Sequence, residues 1–188
     1  MKIGLYFGSF NPVHIGHLII ASFVANNTDV DQVWFIVSPQ NPFKKSQSLL
    51  NEYHRLHLIQ LAIENDHQLK WSDVEFKLPR PSYTIDTLSL LEEKYPQHSY
   101  SLILGSDSIQ NLSKWKSGDA ILNKYKIFVY NRPGFNNTTN HPNVFQLKAP
   151  LLEISSTEIR KLIAEGKTVR YLVPEKVREE IELGAYYK

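Results

Sequence analysis

The stretch that most constrains this chain is residues 8–17, which read Gly-Ser-Phe-Asn-Pro-Val-His-Ile-Gly-His. A short apolar run ends just before it at Phe7, and a run of that length predicts a buried β-strand. The residues after it are apolar at steps of three and four, which predicts an amphipathic α-helix. The free N–H groups and the positive dipole at the start of such a helix bind anions. The stretch therefore predicts an α/β fold with a phosphate site after its first strand.

Two histidines give this stretch its chemistry. His14 and His17 are three residues apart, and Gly16 between them has no side chain to keep a ligand from the backbone. Both imidazoles can therefore face one phosphate chain. A zinc pair is a second interpretation, but a catalytic zinc needs a third protein ligand, and the chain has no cysteine and no nearby acidic residue to supply one. Solvated histidines at a helix start are the third, purely structural interpretation. We predict the phosphate site and no metal ligand.

The rest of the chain alternates strands and helices, a pattern typical of parallel strands joined by right-handed crossovers. Strands are predicted at 3–7, 32–37, 69–76, 100–104 and 126–130, with a shorter one at 144–147. After the first helix, further helices are predicted at 51–66, 83–95, 156–164 and 175–183. The predicted fold class is α/β, a Rossmann-like, doubly wound, mostly parallel sheet with helices on both faces. Residues 134–142 look like a surface excursion, so 1–188 is predicted to be a single domain.

Composition excludes several classes of protein. A chain of 188 residues with 42% hydrophobic and 21% charged residues suits one domain with a sizeable core. No apolar run approaches the ~20 residues that span a bilayer, and no secretory pattern is present, so we expect a cytoplasmic protein without a membrane partner. A net charge of +2 gives no argument for nucleic acid. The absence of cysteine excludes disulfides and thiol chemistry. A homo-oligomer remains open.

Residues 8–17 resemble the signature of the HIGH-type nucleotidyltransferase superfamily. Later segments resemble, in the same order, those of bacterial nicotinate-nucleotide adenylyltransferases, and the resemblance spans essentially the whole chain. These segments are 81–88, 105–107, 115–116, 132–135 and 154–160. Two positions depart from that family. Asn11 replaces the usual Asp but keeps an acceptor that can cap the turn, whereas Phe43 replaces a His and offers no polar contact.

The resemblance implies transfer of AMP from ATP to nicotinate mononucleotide, giving deamido-NAD and pyrophosphate in NAD biosynthesis. The residues expected to be catalytic are His14, His17, Lys44 and Arg160. The residues expected to bind ATP are Gly8, Ser9, Phe10, Gly16, Gly105, Asp107, Ser155, Ser156 and Thr157. The residues expected to bind the mononucleotide are Ser82, Tyr83, Thr84, Trp115 and Arg132, with Trp115 stacked on the pyridine ring.

Some of these residues also have purely structural interpretations. Ser155 with Glu158 forms a capping box that is sufficient to start a helix, although the same helix start can hold a phosphate. Asp107 follows a buried strand, where a carboxylate can hold a ribose hydroxyl or a magnesium-bound water, or simply cap the turn. Trp115 can be partly buried against the following helix. These alternatives stay open at the level of sequence.

The chemistry requires positioning rather than a protein nucleophile. A phosphomonoester has a second pKa of about 6, so at neutral pH it is already largely a dianion that can attack the α-phosphorus of ATP. The reaction needs in-line placement and cations for the developing charge, which the histidines, Lys44, Arg160 and Mg²⁺ can supply. Two alternatives remain. One is a different acceptor, such as nicotinamide mononucleotide, phosphopantetheine or a cytidylyltransferase substrate. The other is a nucleotide-binding module without catalysis.

Overall fold

Six strands of the described residues form one parallel sheet. The computed structural model describes residues 1–40, 49–135 and 139–188. The strand order is β3-β2-β1-β4-β5-β6, and each neighbouring pair is parallel. The strands are β1 (Lys2–Gly8), β2 (Gln32–Val37), β3 (Leu69–Ser72), β4 (Ser99–Gly105), β5 (Lys126–Tyr130) and β6 (Val144–Gln146). The predicted fold class is confirmed, and the described sheet is wholly parallel.

Helices cover both faces of this sheet. They are α1 (Ile15–Asn27), α2 (Glu52–Ala62), α3 (Thr84–Lys94), α4 (Ser106–Gln110), α5 (Gly118–Lys124), α6 (Ser156–Ala164) and α7 (Glu175–Leu183). Residues of β1 alternate between two cores: Tyr6 packs in the core formed with α1, α2, α6 and α7, whereas Ile3 and Leu5 pack in the core formed with α3 and α5. None of the described helices has the length and apolar character needed to cross a membrane.

The order of the strands fixes where a ligand can bind. β1 pairs with β2 on one side and with β4 on the other, so the chain leaves β1 in one direction and later returns to its opposite edge. In open parallel sheets, ligands bind beyond the carboxyl ends of the strands at such a switch point. Gly8 and Gly105 end the two central strands there.

The third predicted strand is shorter than the sequence indicated. β3 ends at Ser72, and Val74–Lys77 form a 3₁₀ helix instead of continuing the strand. The register pairs Ser72 with Ile36 near the end of β2, and the Ser72 hydroxyl accepts a hydrogen bond from the Val74 N–H at 3.3 Å, which starts the turn. Short helical elements at Ser106–Gln110 and Leu112–Lys114 were also not predicted, and α2 ends at Ala62 rather than near residue 66.

Candidate functional site

A cleft of about 690 Å³ opens at the carboxyl ends of β1 and β4. Its walls contain all but two of the residues that the sequence predicted for the site. Gly16 is not on the cleft wall, and Lys44 lies outside the described residues together with Phe43. The fold therefore brings together predicted residues from six segments of the sequence, 8–17, 82–84, 105–107, 115, 132 and 155–160.

The two histidines stack on each other at the base of this cleft. Their ring centroids are 3.6 Å apart with an angle of 23° between the planes. The His14 backbone N–H donates to Nδ1 of His17 at 3.3 Å, so a neutral His17 ring carries its proton on Nε2. His14 is only 4% exposed, and its Nδ1 has no hydrogen-bond partner among the described residues. Burial, with a smaller contribution from Arg132, lowers the pKa of His14 to about 4. In the unliganded protein His14 is therefore neutral at neutral pH and does not act there as a cation.

Gly16 makes room for the His14 ring. A Cβ at residue 16 would lie 3.0 Å from Nδ1 and 3.1 Å from Cε1 of the His14 ring. Gly16 therefore has a packing role beside His14, and its predicted contact with ATP stays a prediction. The start of α1 is also largely satisfied, because Ile15 N–H donates to the Leu172 carbonyl and His17 N–H to the His14 carbonyl. The expected row of free N–H groups at α1 is thus reduced.

The turn between β1 and α1 is held by residues from distant parts of the chain. Phe10 adopts a positive φ of 45°, and its ring packs edge-on against His17 with centroids 5.0 Å apart. The acceptor oxygen expected at Asn11 is present: its Oδ1 accepts from the Leu50 N–H at 3.2 Å and from the Tyr187 hydroxyl at 2.8 Å. The Asn11 side chain therefore links the turn to two other segments.

The start of α6 closes the cleft on the side of this turn. The Ser155 hydroxyl accepts from Glu158 N–H at 3.2 Å, so the predicted N-cap is confirmed. The Ser156 hydroxyl donates to the Pro12 carbonyl at 2.9 Å, and Arg160 Nη1 donates to the Asn11 carbonyl at 2.8 Å. These bonds hold α6 against the turn, and Arg160 lies on the cleft wall.

A carboxylate and a guanidinium meet at the end of β4. Asp107 Oδ2 pairs with Arg132 Nη1 at 3.0 Å, whereas Asp107 Oδ1 is buried and has no partner among the described residues. Gly105 permits this pair, because a Cβ there would lie 2.5 Å from Asp107 Oδ1 and 3.0 Å from Cδ of Arg132. The sequence predicted all three residues but not their mutual packing.

The opposite wall of the cleft is built from the start of α3 and the segment around Trp115. Trp115 lines the cleft and is partly buried against the core on the α3 face, as its structural interpretation predicts, and its stacking on the pyridine ring stays a prediction. Its neighbour Lys116 pairs with Asp86 of α3 at 2.9 Å and lies 5.0 Å from the Tyr83 ring centroid. Lys116 therefore links the Trp115 segment to the start of α3.

Glu75 anchors this wall and was missed by the sequence analysis. It is 2% exposed and accepts from the hydroxyls of Ser82 and Thr87, each at 2.8 Å. Burial raises the pKa of the Glu75 carboxyl, while these hydrogen bonds oppose the rise. The Ser82 hydroxyl proton is therefore used within the protein. A charged residue within the run 69–76, predicted to be an alternating strand, was the available signal.

The described residues hold no group of three or more His, Asp or Glu side chains that could bind a metal ion on its own. Asp107 is the carboxylate on the cleft wall with a buried, unpaired oxygen. Mg²⁺ typically binds one or two carboxylates together with waters and substrate phosphates. The donor set therefore fits an ion that enters with a polyphosphate.

Comparison with known proteins gives one consistent family. The sequence profile of the family described as cytidylyltransferase-like matches residues 5–162. A probable nicotinate-nucleotide adenylyltransferase of Cytophaga hutchinsonii is 52% identical over 189 residues, covering 100% of this chain and 98% of that protein. The corresponding protein of Flavobacterium psychrophilum is 50% identical over 194 residues, covering 100% of both chains.

Solved structures agree on the fold. The Plasmodium falciparum nicotinic acid mononucleotide adenylyltransferase complexed with NaAD is similar with a TM-score of 0.82. It is 20% identical, and the match covers 99% of this chain and 97% of that chain. At this identity the similarity shows the fold alone.

Proposed function

The chain belongs to the nicotinate-nucleotide adenylyltransferase family, and we propose that the two halves of its cleft divide the transfer of AMP from ATP to nicotinate mononucleotide. The observation that carries this division is that the histidine turn and the wall around Trp115 face one cleft at the switch point of the sheet. The turn, α6 and the end of β4 would hold ATP. The start of α3 and the Trp115 segment would hold the mononucleotide.

The ATP half supplies hydrogen-bond donors to the reacting phosphate. An oxygen of the mononucleotide phosphate attacks the α-phosphorus, the bond to the bridging oxygen breaks, and pyrophosphate leaves. No protein base is needed, because the attacking phosphate is already ionised. His17, with its proton on Nε2, and the Arg160 guanidinium would donate to the phosphoryl oxygens as charge accumulates on them. Lys44 would belong to this set, although it lies outside the described residues.

Mg²⁺ is the ion we propose for the ATP half. Asp107 would hold it through Oδ1, while Arg132 fixes the orientation of the same carboxylate through Oδ2. When bound, the ion supplies positive charge for the leaving pyrophosphate. Asp107→Asn should therefore raise the Mg²⁺ concentration needed for half-maximal turnover, and an unchanged Mg²⁺ dependence would contradict the assignment.

The mononucleotide half would recognise the carboxylate of nicotinate through backbone groups. Tyr83 precedes α3 in an extended conformation. Its side chain makes no capping hydrogen bond to the first N–H groups of α3. The Ser82 hydroxyl is bound to Glu75 and is not needed for this contact. A carboxylate accepts from such N–H groups, whereas an amide would present its own NH₂ donor toward them. Trp115 would cover the pyridine ring.

Steady-state kinetics with ATP and each candidate acceptor tests this assignment. An unpaired amide donor costs about 1–3 kcal/mol, so the acid mononucleotide should exceed the amide by roughly tenfold to a hundredfold in kcat/KM. Equal kcat/KM for the acid and the amide would refute the proposed carboxylate site at the start of α3 and would indicate a dual-specificity enzyme. Pyrophosphate release with phosphopantetheine, and not with nicotinate mononucleotide, would show that the enzyme uses a different acceptor.

Trp115→Ala tests the stacking role, and Trp71→Ala is its matched control. Trp71 is 44% exposed on the edge strand β3 and does not line the cleft. Loss of stacking and buried area should raise the KM for nicotinate mononucleotide about tenfold, with little change in the KM for ATP. Thr84→Ala should affect the same substrate. Equal effects of the two tryptophan variants would contradict the assignment.

A further inference from the structure

Arg55 is a buried cation that does not line the cleft. It lies in the first turns of α2 with 0% of its surface exposed. Burial lowers the pKa of Arg55 to about 10, with Glu52 opposing the change, so the guanidinium still carries its charge at neutral pH. Burying a charge is costly unless its hydrogen-bonding groups are satisfied, so its partners decide what the residue does.

The guanidinium of Arg55 binds four backbone carbonyls. Nε donates to Leu50 at 2.7 Å, and Nη2 donates to Pro39 at 3.0 Å. Nη1 donates to Ser9 at 2.5 Å and to Ser38 at 2.9 Å. The four carbonyls belong to the turn after β1, the segment after β2 and the residue before the N-cap of α2. One side chain thus joins three segments, and Ser9 and Ser38 of two of them line the cleft.

The contact with Ser9 acts directly on the turn that faces ATP. The Ser9 carbonyl and the Phe10 N–H belong to one peptide group, so a charge-assisted bond to this carbonyl fixes and polarises that group. Phe10 has a positive φ of 45°, which a side chain disfavours and which the surrounding contacts must maintain. Both Ser9 and Phe10 line the cleft.

A second bond supports the same arrangement from the other side. The carbonyl of Leu50 accepts from Arg55, and the N–H of Leu50 donates to Asn11 Oδ1 at 3.2 Å. Leu50 is therefore clamped between Arg55 and the turn, and the turn is held at both Ser9 and Asn11.

We propose that Arg55 is a positioning residue for adenylyl transfer, which holds the Ser9–Phe10 peptide in the geometry that the ATP phosphates require. The proposal rests on the proposed function, because it presumes that this turn faces ATP. It follows that replacing the fork-shaped guanidinium should disturb the chemical step more than substrate binding, since small displacements of positioned groups cost large factors in rate.

Arg55→Lys and Arg55→Gln test this, with Leu58→Ala as the control. Lysine keeps the charge but has one donor group in place of three nitrogens, and glutamine removes the charge. Leu58 lies in the same helix, is 0% exposed and does not line the cleft, so its truncation destabilises the fold without removing a hydrogen bond to the turn. Each protein is measured by urea unfolding and by steady-state kinetics with ATP and nicotinate mononucleotide.

For folded Arg55→Lys, kcat should fall about fivefold or more, with the KM for the mononucleotide changing less than about threefold. Leu58→Ala should stay within about twofold of the wild-type kcat despite its lower stability. The proposal is overturned if Arg55→Lys and Arg55→Gln keep a wild-type kcat, if Leu58→Ala loses as much, or if neither Arg55 variant folds. If the wild type itself forms no deamido-NAD, the proposed function fails instead.

Discussion

The buried His14 ring should make the protein lose stability in mildly acidic solution. Its pKa is about 4 in the folded protein, because burial and the nearby Arg132 disfavour the charged ring. In the unfolded chain the ring returns to its ordinary pKa of 6.5. The unfolded state therefore binds the proton more tightly, and the stabilisation present above that value is lost as the pH falls toward the folded pKa.

The size of this effect follows from the two pKa values. A difference between an unfolded pKa of 6.5 and a folded pKa of about 4 is worth about 3 kcal/mol when the ring is fully protonated. Between about pH 7.5 and about pH 4.5, the free energy of unfolding should fall by about 2.5 kcal/mol through this group alone. Other groups titrate in the same range, so the comparison needs a variant that lacks only this ring.

His14→Gln is that variant, because glutamine is polar but does not titrate. Urea unfolding gives the free energy of unfolding of both proteins at the two pH values. The change between the two pH values is then compared between the proteins, so that the contributions of the other titrating groups cancel. The wild type should lose about 2.5 kcal/mol more than His14→Gln between the two pH values. Parallel losses in the two proteins would refute the reasoning, since they would mean that His14 binds its proton equally well in the folded and unfolded states.

Three further substitutions probe the site. His17→Ala should lower kcat about a hundredfold or more, about 3 kcal/mol of transition-state stabilisation, with little change in ATP binding, and near-native turnover would contradict this. Gly105→Ala places a Cβ 2.5 Å from Asp107 Oδ1, so Mg²⁺-dependent turnover should fall sharply, and an unchanged rate would show that the carboxylate can move freely. Tyr187→Phe removes the hydroxyl bound to Asn11 and should lower the free energy of unfolding by about 1 kcal/mol; an unshifted urea midpoint would count against that bond.

The sequence predicted the sheet because its strands are bounded by strong local signals. The bounds of β2, β5, α6 and α7 are reproduced to within a residue, since apolar runs and turn residues mark them directly. β3 was predicted too long because its end depends on which residues of β2 remain available for pairing. The register between β2 and β3 sets that end, and a local sequence pattern does not contain it.

The site was predictable where its residues lie in recognisable motifs and unpredictable where their burial depends on distant segments. His14, Asp107 and Trp115 lie in recognisable segments of the sequence, and all three line the cleft. Arg55 and Glu75 resemble ordinary surface residues in the sequence. Their burial depends on carbonyls and hydroxyls contributed by other segments, and the one local signal was the charge of Glu75 within the predicted strand 69–76.

The bond between Tyr187 and Asn11 joins residues that are 176 positions apart. As the chain emerges from the ribosome, the strand and helix that flank the phosphate turn are available to fold long before Tyr187 has been added. The Asn11 side chain nevertheless cannot acquire this partner until almost two hundred residues have been synthesised. The phosphate turn is thus among the last parts of the molecule to reach its final set of hydrogen bonds, and nascent chains that end before Tyr187 should carry a turn that is still incomplete.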